Sequence, residues 1–159
     1  MSARLQQFFP PEEVTFAPLL AEHLDEVMQI EQQAYAHPWT RINFLDALRS
    51  GYQAQRLVAD TKVIGYFVAM QGVEEVHLLN ITVAPQYQGQ GWAKVILEAL
   101  AIWARGQMAH WLWLEVRSGN QRAIRAYTSF GFRQMGVRKA YYPAARGERE
   151  DALVMSVRL

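Results

Sequence analysis

The 159-residue chain contains no cysteine, which removes disulfides, thiolate metal sites and a cysteine nucleophile together. It has almost no net charge. Sixteen Lys and Arg stand against 15 Asp and Glu, a formal +1, so no basic field draws in a phosphate backbone, and direct nucleic-acid binding is not expected. No window is long and apolar enough to span a bilayer, and the stretch from Met1 to Pro10 has no apolar h-region. A soluble cytoplasmic protein with no membrane contact is the expectation. Low-complexity tracts and internal repeats are absent. So are the G-x-S-x-G elbow of serine hydrolases and the H-E-x-x-H zinc motif, and His23, His37, His77 and His110 are too far apart for a local ligand pair. No metal is expected.

What is present is an ordinary globular composition, 51% hydrophobic and 19% charged, in a length suited to one domain with one core. Ala21 to Ala34 carries Leu24, Val27, Met28 and Ile30 at helical spacing, with Glu22, Asp25, Glu26 and Gln29 on the other face. His37-Pro38-Trp39-Thr40 breaks this helix, and Thr40 is placed to N-cap a second one bearing Ile42, Phe44, Leu45 and Leu48 and closed near Gly51. Strands are predicted over Gln55–Ala59 and Val63–Met70, joined by the turn Asp60-Thr61-Lys62, and over Val76–Val83, stopped by Pro85. A helix from Trp92 to Arg105, a buried strand from Trp111 to Val116 and a helix from Gln121 to Phe130 closed by Gly131 follow. The tail is read as an irregular loop from Tyr141 to Arg149 and a last strand, Ala152–Val157. This order gives an α+β (mixed α/β) fold with helices on a sheet.

Three groups of residues carry chemistry. Gly89 and Gly91 lie between a strand and a helix N-terminus, where unpaired N–H groups point at an anion. The plain alternative is a helix start that only needs glycine. The Rossmann and P-loop patterns both fail here, the first at Lys94 and the second for want of Gly-Lys-Ser/Thr. Next, Glu115 ends an apolar strand and must be paired, wet or tuned. A structural ion pair with Arg117 or Arg122 and a catalytic role are both open. Finally, Tyr127 shares a helical face with Ala123 and Ile124, which suits core packing as well as function.

Gln88-Gly89-Gln90-Gly91-Trp92-Ala93 matches the pyrophosphate pattern Q/R-x-x-G-x-G/A, and Asn120…Ala123…Tyr127…Gly131-Phe132 after Glu115-Val116-Arg117 matches a second pattern, N-x-x-A-x-x-x-Y-x-x-x-G-F. In both the chain resembles the GNAT acetyltransferases. That resemblance implies a central, mostly antiparallel twisted sheet flanked by helices, occupying residues 14–159 as a single domain after an N-terminal extension, residues 1–13. It implies acetyl-CoA as cosubstrate. The diphosphate would lie on Gln88, Gly89, Gln90, Gly91, Trp92 and Ala93, the pantetheine arm on Ile81, Thr82 and Val83, and a further cofactor contact at Asn120. Glu115 is then the expected general base towards the incoming amine and Tyr127 the expected acid towards the departing thiolate.

Within the family, His37-Pro38-Trp39-Thr40, Arg138-Lys139-Ala140-Tyr141-Tyr142-Pro143 and Gly147-Glu148-Arg149-Glu150-Asp151-Ala152 resemble the bacterial enzymes that acetylate the N-terminal alanine of small-subunit ribosomal protein eighteen. A protein N-terminus as acceptor, a monomer, and substrate contacts at Trp39, Tyr141 and Tyr142 are what this implies. The tyrosines also suit a hydrophobic loop packed on the sheet. Glu74, Glu75, Glu150 and Asp151 suit either attraction of a basic peptide or solvated edge charges. Two departures stand out: a longer tail before Val14, and Gly89 where the family often has arginine. Another amine acceptor (lysine, polyamine or small molecule) and a non-enzymatic CoA-binding module are the competing readings; the Tyr-Tyr-Pro segment speaks against the first, the presence of Glu115 and Tyr127 against the second.

Overall fold

The computed structural model describes residues 13–159, so the expected N-terminal extension lies, but for Glu13, outside the described residues. Seven strands, β1 Val14–Pro18, β2 Gln53–Ala59, β3 Lys62–Gln71, β4 Glu75–Val83, β5 Trp111–Arg117, β6 Arg133–Pro143 and β7 Arg149–Arg158, form one sheet in the order β1-β2-β3-β4-β5-β7-β6. The helices are α1 Leu24–Ala34, α2 Arg41–Arg49, α3 Trp92–Gly106 and α4 Gln121–Phe130. β1 with β2, β5 with β7 and β6 with β7 run antiparallel, whereas β4 and β5 run parallel. A parallel neighbour needs a crossover, and α3 supplies it. The expected mixed α/β class with a mostly antiparallel sheet is the one observed. Among the described residues no helix is long and apolar enough to cross a membrane, and no group of three or more His, Asp or Glu is placed to hold a metal ion.

The chain divides into two compact units. The first runs to Val68 and resumes over Ile81–Ile96; the second comprises Ala69–Asn80 and Leu97–Leu159. In the first, Leu24, Val27 and Ile30 of α1, Phe44 of α2 and Leu57, Tyr66 and Phe67 of the strands are buried, which is the apolar stripe that the helical spacing predicts. The cap of α2 is as expected: Thr40 Oγ1 accepts from Asn43 N at 3.1 Å, and Asn43 Oδ1 accepts from Thr40 N at 3.0 Å. In the second unit Leu112, Leu114, Val116, Phe132 and Met155 are buried. Gly131 closes α4 at φ +120°, its N–H donating to Tyr127 and Thr128 carbonyls.

Two strands escape the sequence pattern. β1 is five residues long and ends on a proline, tolerable in an edge strand. β6 is exposed at nine of its 11 positions, Met135 and Val137 included, so it has no apolar alternation to detect. Its register with β7 continues to Tyr142↔Glu150 and Pro143↔Arg149 after a shift beyond Arg138. The expected irregular loop from Tyr141 to Arg149 is thus corrected to a hairpin whose turn covers only residues 144–148.

Candidate active site

The glycine-rich segment belongs to the first unit. β4 stops at Val83, a 3-10 turn follows over Pro85–Tyr87, and α3 begins at Trp92. Between them Gly89 and Gly91 take φ values of +77° and +89°, backbone that side chains other than glycine rarely adopt. A Cβ on Gly91 would meet nothing within 4 Å, so conformation and not crowding demands the glycine. The first N–H groups of α3 lack intrahelical acceptors, which gives this turn the donors and the dipole to face an anion. Gln88 Nε2 donates to the Val83 carbonyl at 3.0 Å, and Gln90 Oε1 accepts from Trp92 Nε1 at 3.2 Å. Gln90 Nε2 is buried with no hydrogen-bond partner among the described residues. A buried orphan donor is uncommon, and an acceptor oxygen on a ligand is the kind of group that would satisfy it. Trp92 is buried and Ala93 half-buried.

The end of β4 is built from below by a polar network. Tyr35 donates its hydroxyl to the Ile81 carbonyl at 2.7 Å and lies 2.9 Å from Thr82 Oγ1; burial pushes this phenol up to about 12. Ile81 and Val83 are half-exposed, whereas Thr82 is buried, so its side chain serves the interior. Glu31, 1% exposed, uses both oxygens: Oε1 accepts from Tyr66 Oη at 2.7 Å and Oε2 from Trp39 N at 2.8 Å. Burial, and then the neighbouring Glu31 charge, raise the Tyr66 phenol. Trp39 is thereby fixed by its own backbone, with its ring 5.0 Å from Phe44.

The remaining candidates belong to the second unit. Along β5 the buried Leu114 and Val116 alternate with the half-buried Glu115 and Arg117. Register carries that second face across β7 and β6: Glu115 lies level with Val154 and Gly136, and Arg117 with Ala152 and Arg138. Arg138 Nε stands 3.2 Å from Glu115 Oε1, and its guanidinium lies 5.3 Å from the Tyr141 ring centre. The Tyr141 phenol is raised by burial, then by Glu115 as a neighbouring charge and as its hydrogen-bond partner, with Arg138 opposing. Burial, then Glu115 and Tyr141, push Tyr142 up to about 12 against the pull of Arg117 and Arg138. Glu115, Tyr141 and Tyr142 therefore form one cluster, with Arg138 and Arg117 in it. Asn120 caps α4, its Oδ1 accepting from Ala123 N at 3.2 Å, which leaves its Nδ2 donors for a ligand. Tyr127 sits half-buried on α4, its ring 5.8 Å from that of Phe132.

Sequence reasoning missed Glu31, Arg138 and the partner of Arg117. Glu31 had a signal, a carboxylate four residues after Val27 and seven after Leu24 on an apolar face. Arg138 had none, because its strand was not legible; the guanidinium on Glu115 is Arg138, while Arg117 pairs with Glu150 at 3.2 Å.

The model of the Acetyltransferase (GNAT) family matches residues 22–132, well over half of the chain. The chain belongs to the GNAT acetyltransferases. Likeness to individual GNAT proteins extends further along it. The [ribosomal protein bS18]-alanine N-acetyltransferase of Salmonella typhimurium is 36% identical over 145 residues, 90% of this chain and 96% of that protein. The crystal structure of the ribosomal-protein-S18-alanine N-acetyltransferase from Escherichia coli superposes with a TM-score of 0.83 at 34% identity, covering 91% of this chain and 93% of that one. Ard1 from Thermoplasma volcanium, at 22% identity and a TM-score of 0.81 over 92% of this chain and 98% of its own, shares the fold.

Proposed function

We propose that this chain transfers an acetyl group from acetyl-CoA to the free α-amine of a protein N-terminus, and that its acceptor is the N-terminal alanine of ribosomal protein bS18. The observation that carries this is likeness over nearly the full length, 36% identity across 96% of the Salmonella bS18-alanine acetyltransferase. The remaining features support it. A ribosomal substrate implies action in the cytoplasm, and nothing in the proposed chemistry calls for more than a monomer.

Acetyl-CoA supplies an activated thioester: a C–N bond to the amine forms, the C–S bond breaks, and the thiol leaves with a proton. In this reading the N–H groups at Gly89–Ala93 and Gln90 Nε2 hold the diphosphate, the edge of β4 at Ile81 and Val83 aligns the pantetheine amides, and Asn120 Nδ2 donates to the cofactor. Glu115 removes the proton from the attacking ammonium, directly or through water, and Tyr127 protonates the leaving sulfur. Arg138 covers Glu115 at rest. Its side chain is 58% exposed, and such pairs are worth about 0–1 kcal/mol, so an arriving ammonium displaces it readily. Tyr141 and Tyr142 then hold the first peptide units of the acceptor, and Trp39 is a further acceptor contact in this reading.

Thiol release from acetyl-CoA tests the proposal. A basic peptide beginning with a free alanine should drive it and the same peptide with a blocked N-terminus should not; equal release with both would overturn the assignment.

A further inference from the structure

Arg149, Glu150 and Asp151 open β7, and acetyl transfer gives them no task. The sequence leaves the two acidic residues as either lures for a basic peptide or solvated charges. Each instead turns back onto the chain. Arg149 Nε donates to the Ala140 carbonyl at 2.9 Å and its Nη2 to the Tyr141 carbonyl at 2.7 Å, while Asp151 Oδ1 accepts from Ala140 N at 2.8 Å. These bonds span the register shift of the hairpin, where Ala140 takes a φ of +51°.

Glu150 commits both oxygens. Oε1 stands 3.2 Å from Arg117 Nη1, and Oε2 accepts from Gly119 N at 2.9 Å. Arg117 Nη1 also donates to the Pro143 carbonyl at 2.7 Å, and the guanidinium lies 4.6 Å from the centre of the Tyr142 ring. The two side chains are 25% and 28% exposed, so this pair is more sheltered than that of Arg138 with Glu115. One planar fork thus serves a carbonyl, a carboxylate and a ring face, which a lysine ammonium does not reproduce. Gly119 is part of the device: a Cβ there would meet Glu150 Oε2 at 2.6 Å. Ser118 N donates to the Asp151 carbonyl at 3.0 Å, so the turn leading into α4 is tied to β7 at two consecutive residues.

We propose that Arg117 and Glu150 are positioning residues for the acceptor: they hold Tyr142 and the Pro143 turn against the turn that leads into α4, so that peptide affinity, and not acyl transfer, depends on them. This rests on the reading of Tyr141 and Tyr142 as peptide contacts. A preformed edge binds without the cost of ordering a loop. Truncating either partner frees the Tyr142 ring and the 144–148 turn while Glu115 keeps its own partner, Arg138.

Steady-state kinetics of Arg117→Lys, Glu150→Gln and Glu150→Ala, with the free-alanine peptide and acetyl-CoA varied separately, tests this. Loss of one or two charge-assisted hydrogen bonds that order the edge predicts a rise in peptide KM of about tenfold. Turnover should stay within about twofold, acetyl-CoA KM should not move, and Glu150→Gln, which keeps one acceptor, should fall between wild type and Glu150→Ala. Unchanged peptide KM in variants with native circular dichroism overturns the proposal. So does a loss confined to turnover, or a parallel rise in both KM values, which marks general loosening of the unit. The parent reading fails at a different point, with wild-type protein that leaves the free-alanine peptide unmodified.

Discussion

Glu31→Gln is a demanding test of how the first unit is held, because it changes one atom. Both oxygens of Glu31 face donors, Tyr66 Oη at 2.7 Å and Trp39 N at 2.8 Å. A carboxamide has one acceptor oxygen, so its NH₂ must face one of those donors. The Tyr66 hydroxyl is able to turn and accept, but it gives up a charge-assisted bond; the Trp39 N–H has no such freedom. Hydrogen bonds to charged groups contribute about 1.5–3 kcal/mol, and a stranded buried donor costs about 1–3 kcal/mol. The expected loss is about 2 kcal/mol, which for a chain of this size lowers Tm by about 4–8 °C. Differential scanning calorimetry of wild type, Glu31→Gln, Tyr66→Phe and the double variant gives the coupling between the two side chains as well as each loss. A Glu31→Gln protein that melts within a degree of wild type, or strict additivity in the double variant, would refute the reasoning.

Glu115→Gln should lower kcat at pH 7 by about 10²-fold, the modest end of general-base catalysis because an α-amine titrates near 8, and the deficit should narrow as pH rises. A rate profile parallel to wild type across pH 7–9 contradicts the role. Tyr127→Phe should lower kcat by a similar order, about 10²-fold, with acetyl-CoA affinity by calorimetric titration unchanged; wild-type turnover sinks its assignment as the acid. Tyr35 and Tyr142 hold their protons to about 12 in the folded chain, against about 10 in an unfolded one. The folded state therefore keeps protons that the unfolded state releases, and the stability this gives is complete below pH 10 and lost between pH 10 and 12. Urea melts at pH 9, 10.5 and 11.5 should show the decline, blunted in Tyr35→Phe; a flat profile argues against it. Gly65→Ala would place a Cβ 2.4 Å from the Thr82 carbonyl oxygen, an overpacked strand contact expected to cost about 3 kcal/mol or more, and soluble protein with native Tm would contradict the close approach.

Helices α1, α2 and α3 were legible because each buries one stripe, whereas α4, which has no buried residue, was legible from its Asn120 cap and the closing Gly131. Leu24, Val27 and Ile30 are buried where the spacing puts them, and α4 has the predicted bounds, Gln121–Phe130. β5 was legible as an apolar run for the same reason. β6 was not, since nearly all its side chains face solvent and what makes it a strand is the backbone of β7. Its loss hid the chemistry that depends on register. Glu150 reaches Arg117 because β7 pairs with β5, and Arg138 reaches Glu115 across β7, which lies between β5 and β6. Spacing along one segment carries no information about such pairs. The glycine turn was legible because the demand is local, two left-handed residues between a strand and a helix, whereas the orphaned Gln90 Nε2 depends on how neighbouring side chains close over it.

The central claim is the identity of the acceptor amine, and mass spectrometry tests it most directly. The protein is incubated with acetyl-CoA and two basic peptides, one with a free N-terminal alanine and no lysine, the other N-terminally blocked with an internal lysine. A mass gain of one acetyl group on the first alone, lying on the alanine by fragmentation, is the predicted result. Modification of the second alone would keep the family and contradict the acceptor.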